Sequence, residues 1–150
     1  MARYAFLTTW LLDAPRARVW EVLEDVASWP QWWRGVVRVE SNGPDRHLVE
    51  WRSRVPYSIR FEFEVQHVER PALMEGRARG DLDGRGRWRL IEDGGVTAVI
   101  YEWEVTTTKR WMNAVAPVAR PVFERNHDLV MRWGGEGLAQ RLGVHLLAAG

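Results

Sequence analysis

The 150-residue chain contains no cysteine, which excludes a disulfide framework and a thiolate nucleophile. It also lacks a long hydrophobic run, since no apolar stretch approaches the ~20 residues that a membrane-spanning helix needs. An excess of one charge is missing too, because the formal net charge is only +1. This balance argues against nucleic acid as a partner and against a basic membrane-binding face. We therefore expect a cytoplasmic protein without stable membrane insertion, and the sequence leaves its oligomeric state open.

The sequence has little that would hold a metal or a cofactor. Its four histidines are scattered, and no pair has the spacing of metal ligands on a helix. Gly80, Gly84 and Gly86 do not complete a dinucleotide-binding fingerprint, and they predict a tight hairpin with a bulge. No Gly-x-Ser-x-Gly elbow supports a serine hydrolase. We expect neither a metal nor a cofactor.

Tryptophan, in contrast, is abundant, with ten in the chain, and the segment 25–36 (DVASWPQWWRGV) holds three of them. Apolar spacing predicts a helix over 15–26 and a second, short helix over 28–33. Because Pro30 disfavours the helical region for the residue before it, we expect Trp29 to be extended. Trp29, Trp32 and Trp33 are too large to lie in water without a reason. They predict a hinge and plug that closes over a hollow or apolar space.

The remainder of the chain up to residue 108 alternates in the manner of strands. We expect strands over 3–12, 36–42, 46–55, 57–69, 73–81, 85–92 and 96–108. Turn residues separate most of them, namely Asn42-Gly43-Pro44, Val55-Pro56, Arg70-Pro71, Asp83-Gly84 and Asp93-Gly94-Gly95. The close spacing indicates antiparallel neighbours with one buried and one wet face.

The C-terminal segment predicts a long helix whose apolar residues share one stripe. This stripe consists of Met112, Ala116, Ala119, Phe123, Val130, Trp133 and Gly137. Pro117 and Pro121 each remove a backbone hydrogen bond, so we expect a kink or a separate turn there. Small helix residues opposite aromatic strand residues predict a pre-formed cavity of roughly 300–1,000 Å³.

Charged residues follow one another on the outward faces of the predicted strands. They are Arg52, Arg54, Glu62, Glu64, Arg77, Arg79, Arg85, Arg87, Arg89, Glu102 and Glu104. One interpretation is an anion-binding surface. The other is a solvated face on which opposite charges pair across strands, and the alternation of sign favours it.

Five segments resemble the START-like, helix-grip superfamily, in particular its polyketide cyclase/dehydrase and lipid-transport branch. They are DVASWPQWWRGV, PYSIRFEFEV (56–65), RGDLDGRGRW (79–88), VIYEWEVTT (99–107) and RPVFERNHDLVM (120–131). The resemblance implies a single α+β domain over 1–150. Its helix-grip fold would wrap a seven-stranded antiparallel sheet around a long C-terminal helix, with two short helices after the first strand.

The resemblance also implies a cavity between sheet and helix, whose candidate ligand-binding residues lie on inward faces. They are Trp51, Tyr57, Ile59, Phe61, Phe63, Trp88, Tyr101, Trp103, Phe123, Asn126, His127 and Val130. Asn126 and His127 stand out because polar side chains beside a buried stripe need partners. They could lock the helix onto strand ends, or anchor a ligand, or His127 could be a general acid/base.

Three functions are consistent with this sequence. The first is binding of a hydrophobic, ring-containing small molecule in the cavity. The second is a cyclase that catalyses aldol closure and dehydration of a polyketide there. The third is an interaction module whose cavity is filled by its own tryptophans.

Overall fold

The computed structural model describes residues 2–54 and 57–150, and over these residues an antiparallel sheet of eight strands packs against a long C-terminal helix. The strands are β1 (Arg3–Leu12), β2 (Val36–Ser41), β3 (Arg46–Arg52), β4 (Ser58–Glu69), β5 (Leu73–Gly80), β6 (Leu82–Asp93), β7 (Val96–Thr107) and β8 (Leu146–Ala149). The helices are α1 (Arg16–Glu24), α2 (Trp29–Trp32) and α3 (Arg110–Leu142), and a 3-10 turn (Val26–Ser28) joins α1 to α2. The predicted helix-grip fold is confirmed. The turn predicted at Val55-Pro56 lies outside the described residues.

The strand order is β2-β3-β4-β5-β6-β7-β1-β8, so the sheet is a meander to which the N-terminal strand adds beside β7. Strand β8 is an addition to the predicted set of seven. It follows Gly143, which ends α3 with a φ of 69°, and it pairs with β1 at the sheet edge. A four-residue edge strand without polar alternation gives no pattern of its own, because its pairing is set by the neighbouring strand.

The two faces of the sheet separate as the alternation predicts. On β7, Tyr101, Trp103 and Val105 are buried, and Glu102 and Glu104 point outward. On the outer face, Arg87 contacts Glu75 at 3.0 Å and Arg89 contacts Glu102 at 2.6 Å. The outer face thus carries opposite charges paired across strands. Exposed pairs of this kind contribute only about 0–1 kcal/mol each.

Helix α2 corrects the prediction for Trp29. This residue has φ −51° and ψ −41°, which is helical and not extended, and it begins α2 with Pro30 directly after it. Proline disfavours the helical conformation for the residue before it but does not forbid it. Burial of Trp29 and Trp32 against the core outweighs it here, since a proline in the first helical turn removes no needed donor.

Helix α3 answers one half of another prediction, because it continues through Pro117 and Pro121 and no separate turn forms there. Both prolines are exposed. Their lost hydrogen bonds therefore lie on the solvated side of the helix, where water can replace them. The buried stripe of α3 includes Met112, Ala116 and Val130, as predicted.

Candidate functional site

A cavity of about 70 Å³ lies between the inner face of the sheet and α3. Ten of the twelve predicted residues line it, namely Trp51, Tyr57, Ile59, Phe61, Tyr101, Trp103, Phe123, Asn126, His127 and Val130. They come from β3, β4, β7, α3 and the loop before β4. The fold thus brings together side chains that are up to 79 residues apart in the sequence, from Trp51 to Val130.

Phe63 and Trp88, the other two predicted residues, do not line the cavity among the described residues. The Trp88 ring stacks on Tyr101 at 3.9 Å and contacts Trp10 at 5.6 Å, and it is 1% exposed. Phe63 is buried against Gly76. Strand alternation gives the face of the sheet but not the position along it. Both residues lie in the packed part of the inner face.

Five lining residues were missed by the sequence analysis: Phe6, Arg52, Ser53, Leu82 and Met131. Phe6 could have been found, because it shares the inward face of β1 with Tyr4 and Thr8. Arg52 and Ser53 belong to the end of β3 and the loop after it. They lie where β3 ends, so the alternation of the strand no longer indicates which side chains reach the wall.

The cavity is smaller than the predicted 300–1,000 Å³, and the tryptophans explain the difference. Small helix residues were expected to leave space opposite large strand residues. Instead, the indole of Trp33 fills the space beside Gly134, with Cε2 2.5 Å from where a Cβ would be. Trp10 packs on Gly135 in the same way, and the carbonyl of Trp32 lies against Gly137. The helix glycines therefore permit close packing rather than a void.

Glycines also position the aromatic wall. Gly76 on β5 pairs with Gly86 on β6. A Cβ on Gly86 would lie 2.9 Å from the ring of Trp103. The absence of side chains here lets the indole of Trp103 lie close to the strand backbone, beside Phe61 at 5.4 Å.

Trp33, the residue directly after α2, contacts the cavity wall from both α3 and the sheet. Trp33 donates a hydrogen bond from Nε1 to the carbonyl of Val130, at 2.8 Å. Its ring also meets Trp51 edge-on at 4.8 Å. Because Trp51 and Val130 both line the cavity, Trp33 links the predicted plug directly to the cavity wall.

Four buried polar atoms of the wall have no hydrogen-bond partner within the part of the chain that the structure describes. They are Trp51 Nε1, Asn126 Nδ2, His127 Nδ1 and His127 Nε2. Buried polar groups without partners are uncommon, and each costs about 1–3 kcal/mol. The His127 nitrogens therefore make no contact within the described residues that would lock α3 to the sheet, whereas the Asn126 side chain has a hydrogen bond with the side chain of Tyr57, just before β4.

His127 is neutral in this environment. Burial lowers the pKa of its imidazole from the ordinary value to about 3. The nearest carboxylate oxygen, Asp128 Oδ1, lies 3.8 Å from Nδ1, which is too far for a hydrogen bond. An ion pair would need the imidazolium, which burial disfavours. A neutral imidazole offers one donor and one acceptor.

Two tyrosines add hydroxyl groups to the wall. Burial raises the pKa of Tyr101 well above its ordinary value. Burial also raises the pKa of Tyr57, and an interaction with the Asn126 side chain opposes this rise without cancelling it. Both phenols are therefore protonated near neutral pH and can donate hydrogen bonds. Together with Asn126 and His127, they give an apolar cavity several hydrogen-bonding groups.

Residues 2–54 and 57–150 contain no cluster of three or more side chains that could hold a metal ion. Nor is any helix of this part of the chain long and apolar enough to span a membrane. His47, which lies in a surface cleft near the β2–β3 hairpin, has ordinary partners. Its ring contacts Ser41 Oγ at 2.8 Å and the carbonyl of Pro44 at 3.2 Å.

Solved structures share this fold at low sequence identity. A conserved protein from Geobacillus kaustophilus is 14% identical with a TM-score of 0.77, over 95% of this chain and 99% of its own. The Zhui aromatase/cyclase from Streptomyces sp. R1128 is 16% identical with a TM-score of 0.76, over 95% and 94%. A START superfamily protein from Mycobacterium smegmatis is 13% identical with a TM-score of 0.73, over 93% and 97%.

A comparison with curated proteins gave no match. The profile described as polyketide cyclase/dehydrase and lipid transport matches residues 6–143, which is most of the chain. The match includes β3, β4, β6 and β7 in full and all but the first three residues of β1. The chain therefore belongs to the polyketide cyclase/dehydrase and lipid transport family.

Proposed function

We propose that the chain binds an uncharged, hydrophobic, ring-containing small molecule in the cavity between the sheet and α3. The observation that carries the proposal is the set of four unpartnered polar atoms, at Trp51, Asn126 and His127, within an aromatic wall. Small-molecule sites typically combine apolar walls with a few polar groups that orient the ligand. Family membership and fold agree with this class of function.

The chemistry of these atoms restricts the ligand. Trp51 Nε1 and Asn126 Nδ2 can only donate hydrogen bonds, and neutral His127 can donate one and accept one. A ligand that relieves all of them carries oxygen acceptors and at least one hydroxyl. Flat aromatic side chains such as Trp103 and Phe61 complement a ring system by stacking. A hydroxylated or carbonyl-bearing ring meets both requirements.

Charge restricts the ligand further. Arg52 is the cationic residue of the described cavity wall, and its side chain is 57% exposed with Glu50 at 3.9 Å. His127 is neutral. The interior of the described wall therefore holds no positive charge. An anionic group placed beside His127 would lose its hydration without a compensating charge. We therefore expect a neutral ligand to bind more tightly than its carboxylate analogue.

The cavity has to widen for such a ligand, because about 70 Å³ is less than a ring system occupies. Tyr57, Phe123 and Asn126 are only half-buried. They form the part of the wall that can move without disturbing the packed tryptophans near α2. We expect these side chains to shift when the ligand enters.

Mass spectrometry of small molecules released by denaturing the freshly purified protein tests the proposal. We expect a stoichiometric neutral compound from the wild type. The variant Ile59→Trp, which fills the cavity from β4, should release none while its circular dichroism stays native. Release of the same compound in equal amount from both proteins would place binding elsewhere and overturn the proposal.

A polyketide cyclase is the second candidate, because Tyr57, Asn126 and His127 share one cavity and the Zhui aromatase/cyclase has a similar fold. In that case His127 would take a proton from the carbon that attacks a carbonyl, and water would leave after ring closure. General-base catalysis works best when the pKa lies near the operating pH. The pKa of about 3 for His127 is far below it, and this favours binding over catalysis.

The two candidates differ in a turnover assay with a poly-β-ketone thioester. A cyclase would form cyclised product, and His127→Phe would abolish that product while the chain still bound the substrate. The binding proposal predicts no product above the uncatalysed rate from the wild type.

A further inference from the structure

The first half of α3 carries a second apolar stripe, on a face that is largely exposed in the described structure. It consists of Trp111, Val115, Val118 and Val122, whose exposed fractions are 50%, 42%, 84% and 53%. Their spacing of four, three and four residues places them on one side of the helix. Met112 and Ala116 of the same turns are buried on another side. This part of α3 is therefore apolar in two directions.

The exposed stripe begins at the cavity. The ring of Trp111 meets the ring of Tyr57 edge-on at 5.4 Å, and Tyr57 lines the cavity. Phe123, which follows Val122 directly, also lines it. A partner that covers the stripe would therefore lie beside Tyr57 and Phe123, which form a half-buried part of the cavity wall.

Two exposed arginines accompany the stripe. Arg110 precedes Trp111, and Arg125 follows Val118 by seven residues, so it lies on the same side of the helix. Neither guanidinium makes an ion pair within the residues that the structure describes. The other cations nearby are engaged, since Arg120 contacts Glu124 at 3.4 Å and Lys109 contacts Asp81 at 3.2 Å. The stripe thus combines apolar side chains with Arg125 at one end, and Arg110 flanks its other end about 100° around the helix from Trp111.

We propose that this stripe docks the protein, with the cavity beside it, onto the surface of an anionic phospholipid bilayer. An interfacial helix buries valine and tryptophan at the boundary of head groups and acyl chains, and its arginines contact phosphates. Anionic lipid attracts each nearby arginine. The net charge of the whole chain, +1, does not reveal these two unpaired arginines, because it sums them with the many paired charges of the outer sheet face.

A second copy of the chain fits the stripe less well. Antiparallel pairing of two stripes would bring Arg110 of one copy towards Arg125 of the other. No carboxylate lies on the stripe between Trp111 and Val122 to compensate for that repulsion. The charge pattern therefore favours an anionic partner over self-association.

The docking is tested by co-sedimentation with vesicles of phosphatidylcholine alone or mixed equally with phosphatidylglycerol. We expect the wild type to bind the mixed vesicles, and to bind them more weakly at high salt. Val118→Asp and the double variant Arg110→Glu/Arg125→Glu should each lower the partition coefficient about tenfold or more. Leu7→Asp is the matched control, because Leu7 is 67% exposed on the sheet, and it should bind as the wild type does.

Three results would overturn the proposal. They are equal binding to both vesicle types, unchanged binding of Val118→Asp, and a wild-type dimer in sedimentation velocity that Val118→Asp converts to a monomer. Native circular dichroism of each variant excludes unfolding as the cause. The purpose of docking, transfer of a ligand between bilayer and cavity, rests on the proposed function. Val118→Asp should keep wild-type affinity for N-phenyl-1-naphthylamine in solution, so failure of docking and failure of ligand binding are distinguishable.

Discussion

The imidazole of His127 stacks on the ring of Phe6, with ring centroids 3.7 Å apart and planes 13° apart. This contact joins α3 to β1 at the cavity wall. Stacking holds the plane of the imidazole, and both of its nitrogens stay without partners in the described structure. His127 is thus oriented by an apolar contact and is open to a hydrogen bond from a ligand.

The substitution His127→Phe should raise the free energy of unfolding by about 1 kcal/mol. It keeps an aromatic ring against Phe6 and removes two buried polar atoms that lack partners. Urea denaturation at pH 7 measures the change. A loss of about 1–3 kcal/mol would instead mean that His127 has a structural hydrogen bond that holds α3 in place.

The same substitution should change how stability depends on pH. The unfolded chain binds a proton at His127 near pH 6.5, whereas the folded chain binds it only near the folded-state pKa of about 3. Stability is therefore lost as the pH falls from about 6.5 towards 3, because the unfolded state binds more protons. Between pH 7 and pH 5 this loss amounts to about 2 kcal/mol.

Denaturation of wild type and His127→Phe at both pH values measures that contribution as a difference. Other groups, such as His47, titrate in both proteins and cancel. Parallel stability curves for the two proteins would show that His127 is protonated as easily in the fold as in the unfolded chain.

Trp103→Phe should weaken binding of N-phenyl-1-naphthylamine about tenfold while the fold survives. The indole of Trp103 lines the cavity, and phenylalanine keeps an aromatic ring but loses part of the contact surface. Phe63→Leu is a control in a neighbouring position outside the cavity, and its affinity should stay close to that of the wild type. A Trp103→Phe variant with wild-type affinity would remove Trp103 from the site.

Gly134→Ala should destabilise the protein by about 1–3 kcal/mol, although alanine is the better helix former. The added Cβ would lie 2.5 Å from the Trp33 ring, so the indole or the helix has to move. Glu136→Ala, at an exposed position of the same helix, should have little effect. Thermal denaturation compares the two variants, and a stabilised Gly134→Ala would show that the Trp33 packing is loose.

Sequence patterns predicted the regular secondary structure and the residues on its inward faces. Alternation in β4 and β7 placed Phe61, Tyr101 and Trp103 on the inward face, and helical spacing placed Val130 opposite them. These predictions depend only on periodicity, which each segment carries by itself. The polar anomaly at Asn126 and His127 was visible for the same reason, because both interrupt a periodic stripe.

The features that were not predicted depend on contacts between distant segments. Trp29 is helical because its ring gains more from burial than the following proline costs. The cavity is small because Trp10 and Trp33 fit against Gly135 and Gly134. Trp88 lies outside the wall because its ring packs against Trp10, Trp29 and Trp33. Strand β8 exists because β1 offers it an edge.

The most direct test of ligand binding in this cavity is a titration with N-phenyl-1-naphthylamine, an uncharged aromatic probe whose fluorescence rises in apolar surroundings. The wild type should show saturable binding. Ile59→Trp, with native circular dichroism, should have an affinity at least about tenfold lower. Equal affinities of wild type and Ile59→Trp, or no saturable binding by the wild type, would contradict the claim that a hydrophobic molecule binds between the sheet and α3.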